Sequence, residues 1–395
     1  MMPARALGVV AAAALGAACE PSRWTPVPEV VASASAVRPP DPIPPSLSPS
    51  LPPGLGSGDV AWLNDDTLVA VSAEDGSLYW WRVGDAAWVA RGTLGCGADG
   101  LLKISLRATR RGLVWSGFDR GRDRHVSGLS SLDARRGCRA LAEPADPWGR
   151  PTRFGGSGSF NWNGDFVELA VGSGGPLRFP PIGGPPVPLF RVWRAWDRDS
   201  SARAELAEST YTPPPAGTDS AGLIQYVHDA LSVVRWLAPD TVVVVDILRA
   251  EGQRWAAVDG TWRALPGRVR FPLHADSYRP IIVPRTSQQE WGNFLTAGRM
   301  SGVARDRRGR WWIVSSGPRL GTVGSLPWWM SNHHGLAVWH ETHGECRWFF
   351  DASATGINIL SAKVSPSGGH VAVTLWNKRL SSIDVAVWDA SRMGC

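Results

Sequence analysis

The amino-acid sequence predicts an all-β fold, and three observations carry that prediction. Gly and Pro are abundant, at 44 and 32 of 395 residues, and 22 Trp accompany only three Lys (Lys103, Lys363 and Lys378), a composition suited to short strands and turns rather than long helices. From residue 59 onward, apolar runs of four to eight residues rich in Val, Trp, Leu and Ile alternate with Gly, Asp, Pro and Ser turns. No segment carries a convincing helical period, and P-loop and GxSxG patterns are absent, which argues against α/β enzyme folds.

The clearest unit is Val60 to Val83. A first strand ends at Leu63, Asn64-Asp65-Asp66 reverses the chain, Thr67 to Ser72 form a second strand, and Asp75-Gly76 sets a hairpin into Ser77 to Val83. Similar second strands recur at Arg110 to Gly117, Asn163 to Ser173, Pro239 to Ile247, Arg308 to Ser316 and around Gly368, at intervals of about 45 to 75 residues. A repeat of three or four strands at such a period predicts a β-propeller. Six anchors predict six blades, or seven if the stretch between Ser173 and Pro239 holds one; that stretch contains Phe179 to Pro188 and Thr210 to Gly222, which read as loop insertions. Two smaller β-domains are the alternative architecture.

Two segments carry a family resemblance. Leu360 to Asp389, with Ser365-Pro366-Ser367-Gly368 in the first turn and Trp388-Asp389 closing the third strand, resembles a WD40-like repeat of TolB-related periplasmic propellers, with Ser367 where Asp is usual. Gly302 to Ser316 is similar to the Asp-x-x-Gly-x-x-Trp turn of sensor-type propeller repeats. The resemblance implies a fold and hardly a function, because propellers host many activities.

The N-terminus reads as an export signal over residues 1–18. Arg5 supplies a positive charge, and Ala6 to Leu15 form ten apolar residues, too few to span a bilayer. Leu15-Gly16-Ala17-Ala18-Cys19 resembles a bacterial lipobox, which implies lipidation of Cys19; a plain signal-peptidase cut is the alternative. Residues 19–58 follow as a tether, since eleven prolines between 20 and 58 bar helix or central strand. The globular domain then spans 59–395. Cys96, Cys138, Cys346 and Cys395 form an even set in a chain bound for an oxidising compartment, and without a CxxC spacing they read as disulfides. Of three possible pairings, Cys96 with Cys138 and Cys346 with Cys395 close the most local loops.

Hydrophobic residues at 44% and charged residues at 19% lie near globular values, which sets aside disorder throughout, a coiled coil and a multi-span membrane protein. The net charge of +6 does not argue for nucleic acid, because the basic residues are interleaved with Asp, as in Asp119 to Arg124, instead of forming a stripe.

Candidate chemistry is sparse. The first strands of a propeller line its central channel, and the predicted first strands carry Lys103, Arg235, Arg305 and Lys363, with Asn161 and Ser361 alongside; converging cations there would suit an anionic ligand such as a carboxylate sugar or a phosphate. His340 and His343 are the weak metal candidates of the His-rich segment Ser331 to Glu345, whose HETH spacing is not HExxH and reads as a strand followed by a solvated turn. Asp65, Asp66, Asp246, Asp259 and Asp306 could supply the carboxylate pair of a glycoside hydrolase, although most occupy turns where Asp is expected. His228-Asp229 and His274 with Asp276 lack a serine or cysteine in a nucleophile context. Trp328-Trp329, after Pro327, are the candidate exposed aromatics; Trp80-Trp81 and Trp311-Trp312 lie at strand periodicity, where one of each pair is expected to face an inter-sheet core.

Together these features predict an exported, lipid-anchored propeller in the bacterial envelope, periplasmic or at the outer membrane. It would act as a binding scaffold for an envelope protein or glycan, without a cofactor. An envelope glycan hydrolase or lyase and a small-anion sensor are the competing readings.

Overall fold

A computed structural model describes residues 59–119, 121–122, 124–132, 137–142, 158–169, 182–199, 203–218, 232–246, 251–271, 299–306, 309–317, 333–340, 346–351, 357–377 and 382–390. Nearly all of their regular structure is antiparallel strand. The first meander holds β1 (Val60–Trp62), β2 (Thr67–Val71), β3 (Ser77–Arg82) and β4 (Val89–Thr93), and the second β5 (Leu101–Thr109), β6 (Gly112–Asp119), β7 (Arg124–Ser130) and β8 (Cys138–Ala140). The third is built from β9 (Ser159–Phe160), β10 (Phe166–Leu169), β12 (Phe190–Trp193) and β13 (Glu205–Ala207), while β11 (Val187–Pro188) pairs separately with β14 (Thr210–Tyr211). The fourth comprises β15 (Ser232–Ala238), β16 (Thr241–Asp246), β17 (Glu251–Val258) and β18 (Thr261–Arg270). The fifth comprises β19 (Arg299–Arg305), β20 (Arg310–Gly317), β21 (His333–His340) and β22 (Cys346–Asp351), and the sixth β23 (Ile357–Val364), β24 (His370–Asn377) and β25 (Ser382–Asp389).

Local sequence explains the turns. Asn64 Oδ1 accepts hydrogen bonds from the backbone N–H groups of Asp66 and Thr67 at 3.0 and 2.7 Å, an Asx turn that reverses β1 into β2. Asp75 does the same for the next hairpin, accepting from the backbone and hydroxyl of Ser77. In the fifth meander the Asp-x-x-Gly-x-x-Trp pattern is a small network. The Asp306 carboxylate accepts from Arg310 N at 3.0 Å, Arg310 Nε at 2.8 Å and Trp312 Nε1 at 3.2 Å. Gly309 lies between them at φ +82°, a left-handed conformation that disfavours any side chain. In the sixth, Ser365 N donates to His370 O and Gly368 N to Ser365 O, with Gly368 at φ +79°. Ser367 takes over the usual Asp role by accepting from Gly369 N.

The meanders form a closed ring. First strands touch around a centre: β1 contacts β5 and β23, β23 contacts β19, β19 contacts β15, and β15 contacts β9 and β10. The contact between β1 and β23 joins the first described meander to the last, so the described sheets form a β-propeller. The core is accordingly not one mass but a series of layers between adjacent sheets. Trp115 and Leu106 fill the layer between the first and second meanders, Phe166 and Trp193 the next, and Phe190, Trp255 and Trp262 the layer between third and fourth. Phe271 meets Trp311 edge-on between fourth and fifth, Trp312 packs with Val373 and Trp388 between fifth and sixth, and Trp62 and Trp81 with Val387 close the ring.

This arrangement changes one expectation. Of Trp311 and Trp312, one was expected to face an inter-sheet core; both do, because β20 is covered on both sides by neighbouring sheets. For Trp80-Trp81 the alternation holds: Trp81 is buried and Trp80 is partly covered beneath Arg91. The region between Ser173 and Pro239 supplies β11 to β15; of these β12 and β13 complete the third meander and β15 begins the fourth. β13 also runs parallel to β18, with Ala207 opposite Trp262, so the third and fourth meanders share one eight-stranded sheet.

Neighbouring turns at the end of the ring where first strands meet second strands are latched to one another. Arg110 N donates to Trp162 O at 2.8 Å, Arg194 Nη1 to Pro239 O at 2.7 Å, and Arg310 Nη1 to Ala390 O at 2.7 Å. The ring closure uses the same device, with Ser367 N donating to the Asp65 carboxylate and the His370 ring meeting Asp65 O at 3.0 Å. Cys96 and Cys138 form a disulfide, as the loop argument expected, with Cα atoms 5.6 Å apart and a sequence separation of 42, a closure worth up to about 4 kcal/mol in the chain-entropy account.

Candidate functional site

The channel brings together side chains from four of the six described meanders. Asp59, immediately before β1, accepts from Val60 N, from Leu106 N at 2.9 Å, from Lys363 Nζ at 2.9 Å and from Arg107 Nη1 at 3.3 Å. Lys363 also donates to Leu106 O at 3.2 Å, and its own carbonyl accepts from Trp62 Nε1. Three first strands and the residue preceding β1 are thus tied together at the axis. Arg235 on β15 completes the cluster from the fourth meander. It donates to the Val234 carbonyl at 2.8 Å, which also accepts from the Ser159 hydroxyl at 3.4 Å, and Ser159 and Arg107 line one small cavity.

Three cations and one carboxylate share this space, and their electrostatics follow. Burial pulls Lys363 down to about 8, with Arg107 adding to the shift and Asp59 opposing it. Burial likewise lowers Arg235 to about 10, again with Arg107 contributing. Burial alone would raise Asp59, but Lys363, Arg107 and the Leu106 N–H outweigh it and hold the carboxyl below its ordinary value. Asp59 is therefore a fixed anion and a poor general acid at neutral pH.

Lys363 gives a pH dependence whose sign can be worked out. Its folded value of about 8 lies below the ordinary 10.5, so between those limits the unfolded chain retains a proton that the folded chain has lost. Stability then rises with pH across this window, by on the order of 3 kcal/mol for this group. Denaturant midpoints from pH 7.5 to 10.5 should show that rise in the wild type and lack it in Lys363→Met; parallel profiles would refute the assignment.

Of the four channel cations expected from sequence, Arg235 and Lys363 meet in the cluster. Arg305 instead lies over the Trp311 ring at 5.3 Å. Lys103 is on β5, a first strand as expected, but its side chain is outside the described residues. Asn161 bonds to Asp165 in the turn between β9 and β10. Ser361 lies on β23 with its side chain outside the described set, as are Trp328, Trp329, His343, Cys19 and Cys395 altogether and the side chains of His340 and Cys346. Sequence reasoning missed Asp59 and Arg107. Both adjoin predicted first strands, but the β-bulge between Leu102 and Ser105 shifts which β5 residues face the axis. It also missed Trp162, which is 48% exposed in the turn between β9 and β10.

The carboxylates considered for glycan hydrolysis have structural engagements. Asp66 pairs with Arg82 and Thr67, Asp306 is enclosed with Arg310 and Trp312, Asp65 latches the ring closure, and Asp259 occupies the β17 to β18 turn at φ +50°. Asp246 lies opposite Glu251 across the β16 to β17 pair. Among the described residues, no three His, Cys, Asp or Glu side chains converge as metal ligands.

Comparison with known proteins gives likenesses of structure only. No protein family matches the sequence, and no curated protein does. The chain is similar to solved propeller-like structures. One is a member of the DUF4221 family from Bacteroides vulgatus, at 8% identity and TM-score 0.46, covering 87% of this chain and 97% of that one. Others are the RRP9 WD40 repeats, at 11% identity and TM-score 0.42 over 88% and 98% of the two chains, and YCF48 bound to D1 peptide, at 12% identity and TM-score 0.41 over 89% and 99%. The fold assignment itself rests on the closed ring of sheets.

Proposed function

We propose that this chain is an exported, lipid-anchored β-propeller that serves as a protein-binding scaffold in the bacterial envelope. The observation that carries this reading is the latched end of the ring. Turn-to-turn hydrogen bonds hold a surface of short, ordered turns, and Trp162 stands exposed on it. A rigid aromatic anchor on a preordered surface binds a partner at low entropic cost. The leader, the lipobox-like Cys19 and the Cys96–Cys138 disulfide support export, since disulfides persist in oxidising compartments. The structural engagement of Asp66 and Asp306 favours binding over glycan hydrolysis.

The test uses the full chain expressed in a bacterium. Intact mass of the membrane fraction should show an acylated chain beginning at Cys19, and Cys19→Ala should move the protein to the soluble fraction. A photoreactive residue at position 162 should yield a discrete crosslinked protein in the envelope fraction. A soluble, unlipidated wild-type chain would overturn the anchoring, and the absence of any adduct at position 162 would overturn the assignment of this face.

A further inference from the structure

We infer that the propeller axis is a binding site for a small dianion, a dicarboxylate or a phosphate, held by Arg235, Arg107 and Lys363. Partly buried cations are ordinarily paired with carboxylates, because removing water from a lone charge is costly. Here two half-buried cations, Lys363 at 2.9 Å and Arg107 at 3.3 Å, already share one carboxylate, Asp59, and Arg235 is a third cation of the same channel. Arg235 meets only a neutral acceptor, the carbonyl of its own neighbour Val234, and among the described residues no carboxylate approaches it. The cluster therefore carries a net charge of about +2 at the axis, and a dianion would neutralise it. Guanidinium is suited to the task, since its planar fork matches the two oxygens of a carboxylate or phosphate face.

The geometry also explains why the site would persist without its ligand. Asp59 ties Lys363 and Arg107 to Leu106 across three first strands, so those two cations are positioned by ring closure rather than by the ligand. Arg235, from the fourth meander, is the cation left for the ligand to complete. This inference is separate from the scaffold proposal: the site lies on the axis, whereas Trp162 stands on the turn surface.

The experiment is isothermal titration and thermal unfolding of the full chain with succinate, inorganic phosphate and acetate, each against chloride at matched ionic strength. Wild type should bind succinate or phosphate saturably, at least about 10-fold more tightly than acetate, and the better of the two dianions identifies the class. Arg235→Gln should lose at least about 10-fold in affinity while keeping or raising its unfolding midpoint in chloride, because it removes a cation with no anionic partner. Arg82→Gln, at an exposed pair remote from the axis, should bind as wild type does. If Arg235→Gln fails to fold, Arg235→Lys provides the same test, since it keeps the charge and loses the fork. No saturable binding of either dianion, or retention of affinity within about 2-fold in both Arg235 variants, would overturn the site.

Discussion

Asp306→Ala should lower the unfolding free energy by about 3 to 5 kcal/mol, the range for removing one partner of a buried ion pair. Asp306 and Arg310 are 7% and 6% exposed, and Nε lies 2.8 Å from the carboxylate. The substitution takes the carboxylate away from the Arg310 cation, which is enclosed over the Trp312 ring and also donates to the carbonyls of Ala390 and Gly368. Those two carbonyls belong to the sixth meander, so the damage extends beyond one turn to the junction of the fifth and sixth sheets. Denaturant melts followed by Trp fluorescence measure the loss, and Asp306→Asn should recover part of it by keeping one acceptor oxygen, for Arg310 N. A change in Asp306→Ala below about 1 kcal/mol would mean that the pair is effectively solvated.

Trp262→Ala should cost a similar amount, about 3 to 5 kcal/mol, for a different reason. The side chain is fully buried, and its ring meets Phe190 and Trp236 edge-on at 5.9 Å each, with the Arg194 guanidinium over it at 5.4 Å. Its Nε1 donates to Glu205 at 2.9 Å, and Glu205 also accepts from Arg194 Nε at 3.0 Å. Truncation opens a cavity where β13 and β18 run parallel, and it unsettles the Arg194 bond to Pro239 that latches the third and fourth turns. Trp262→Phe keeps most of the packing and loses the hydrogen bond, so its cost should be nearer 1 kcal/mol. Equal losses in Trp262→Ala and Trp262→Phe would show that the hydrogen bond, not the ring volume, dominates.

Much of the fold was legible because its signals are local. Asn64-Asp65-Asp66 announces a reversal through an Asx bond two and three residues on, and Asp306 to Trp312 and Ser365 to His370 announce turns that are satisfied within about seven residues. The alternation of such turns with apolar runs was enough to predict strands, their antiparallel pairing and the repeat. The candidate site was legible only by half. Arg235 and Lys363 could be placed on first strands from the pattern alone, but nothing near Asp59 in sequence marks it as the counterion of a lysine 304 residues away.

The sequence by itself determined the all-β character and the local turn chemistry, and it favoured the propeller repeat and the Cys96–Cys138 pairing among the alternatives it left open. The tertiary structure alone decided which residues share the axis, that Arg305 leaves it for Trp311, that both faces of Trp311-Trp312 are covered, and that the third and fourth meanders merge through β13 and β18. The physical reason is range. A turn is settled by hydrogen bonds over a few residues, whereas strand bulges and ring closure set side-chain direction and sheet neighbours through contacts between distant segments.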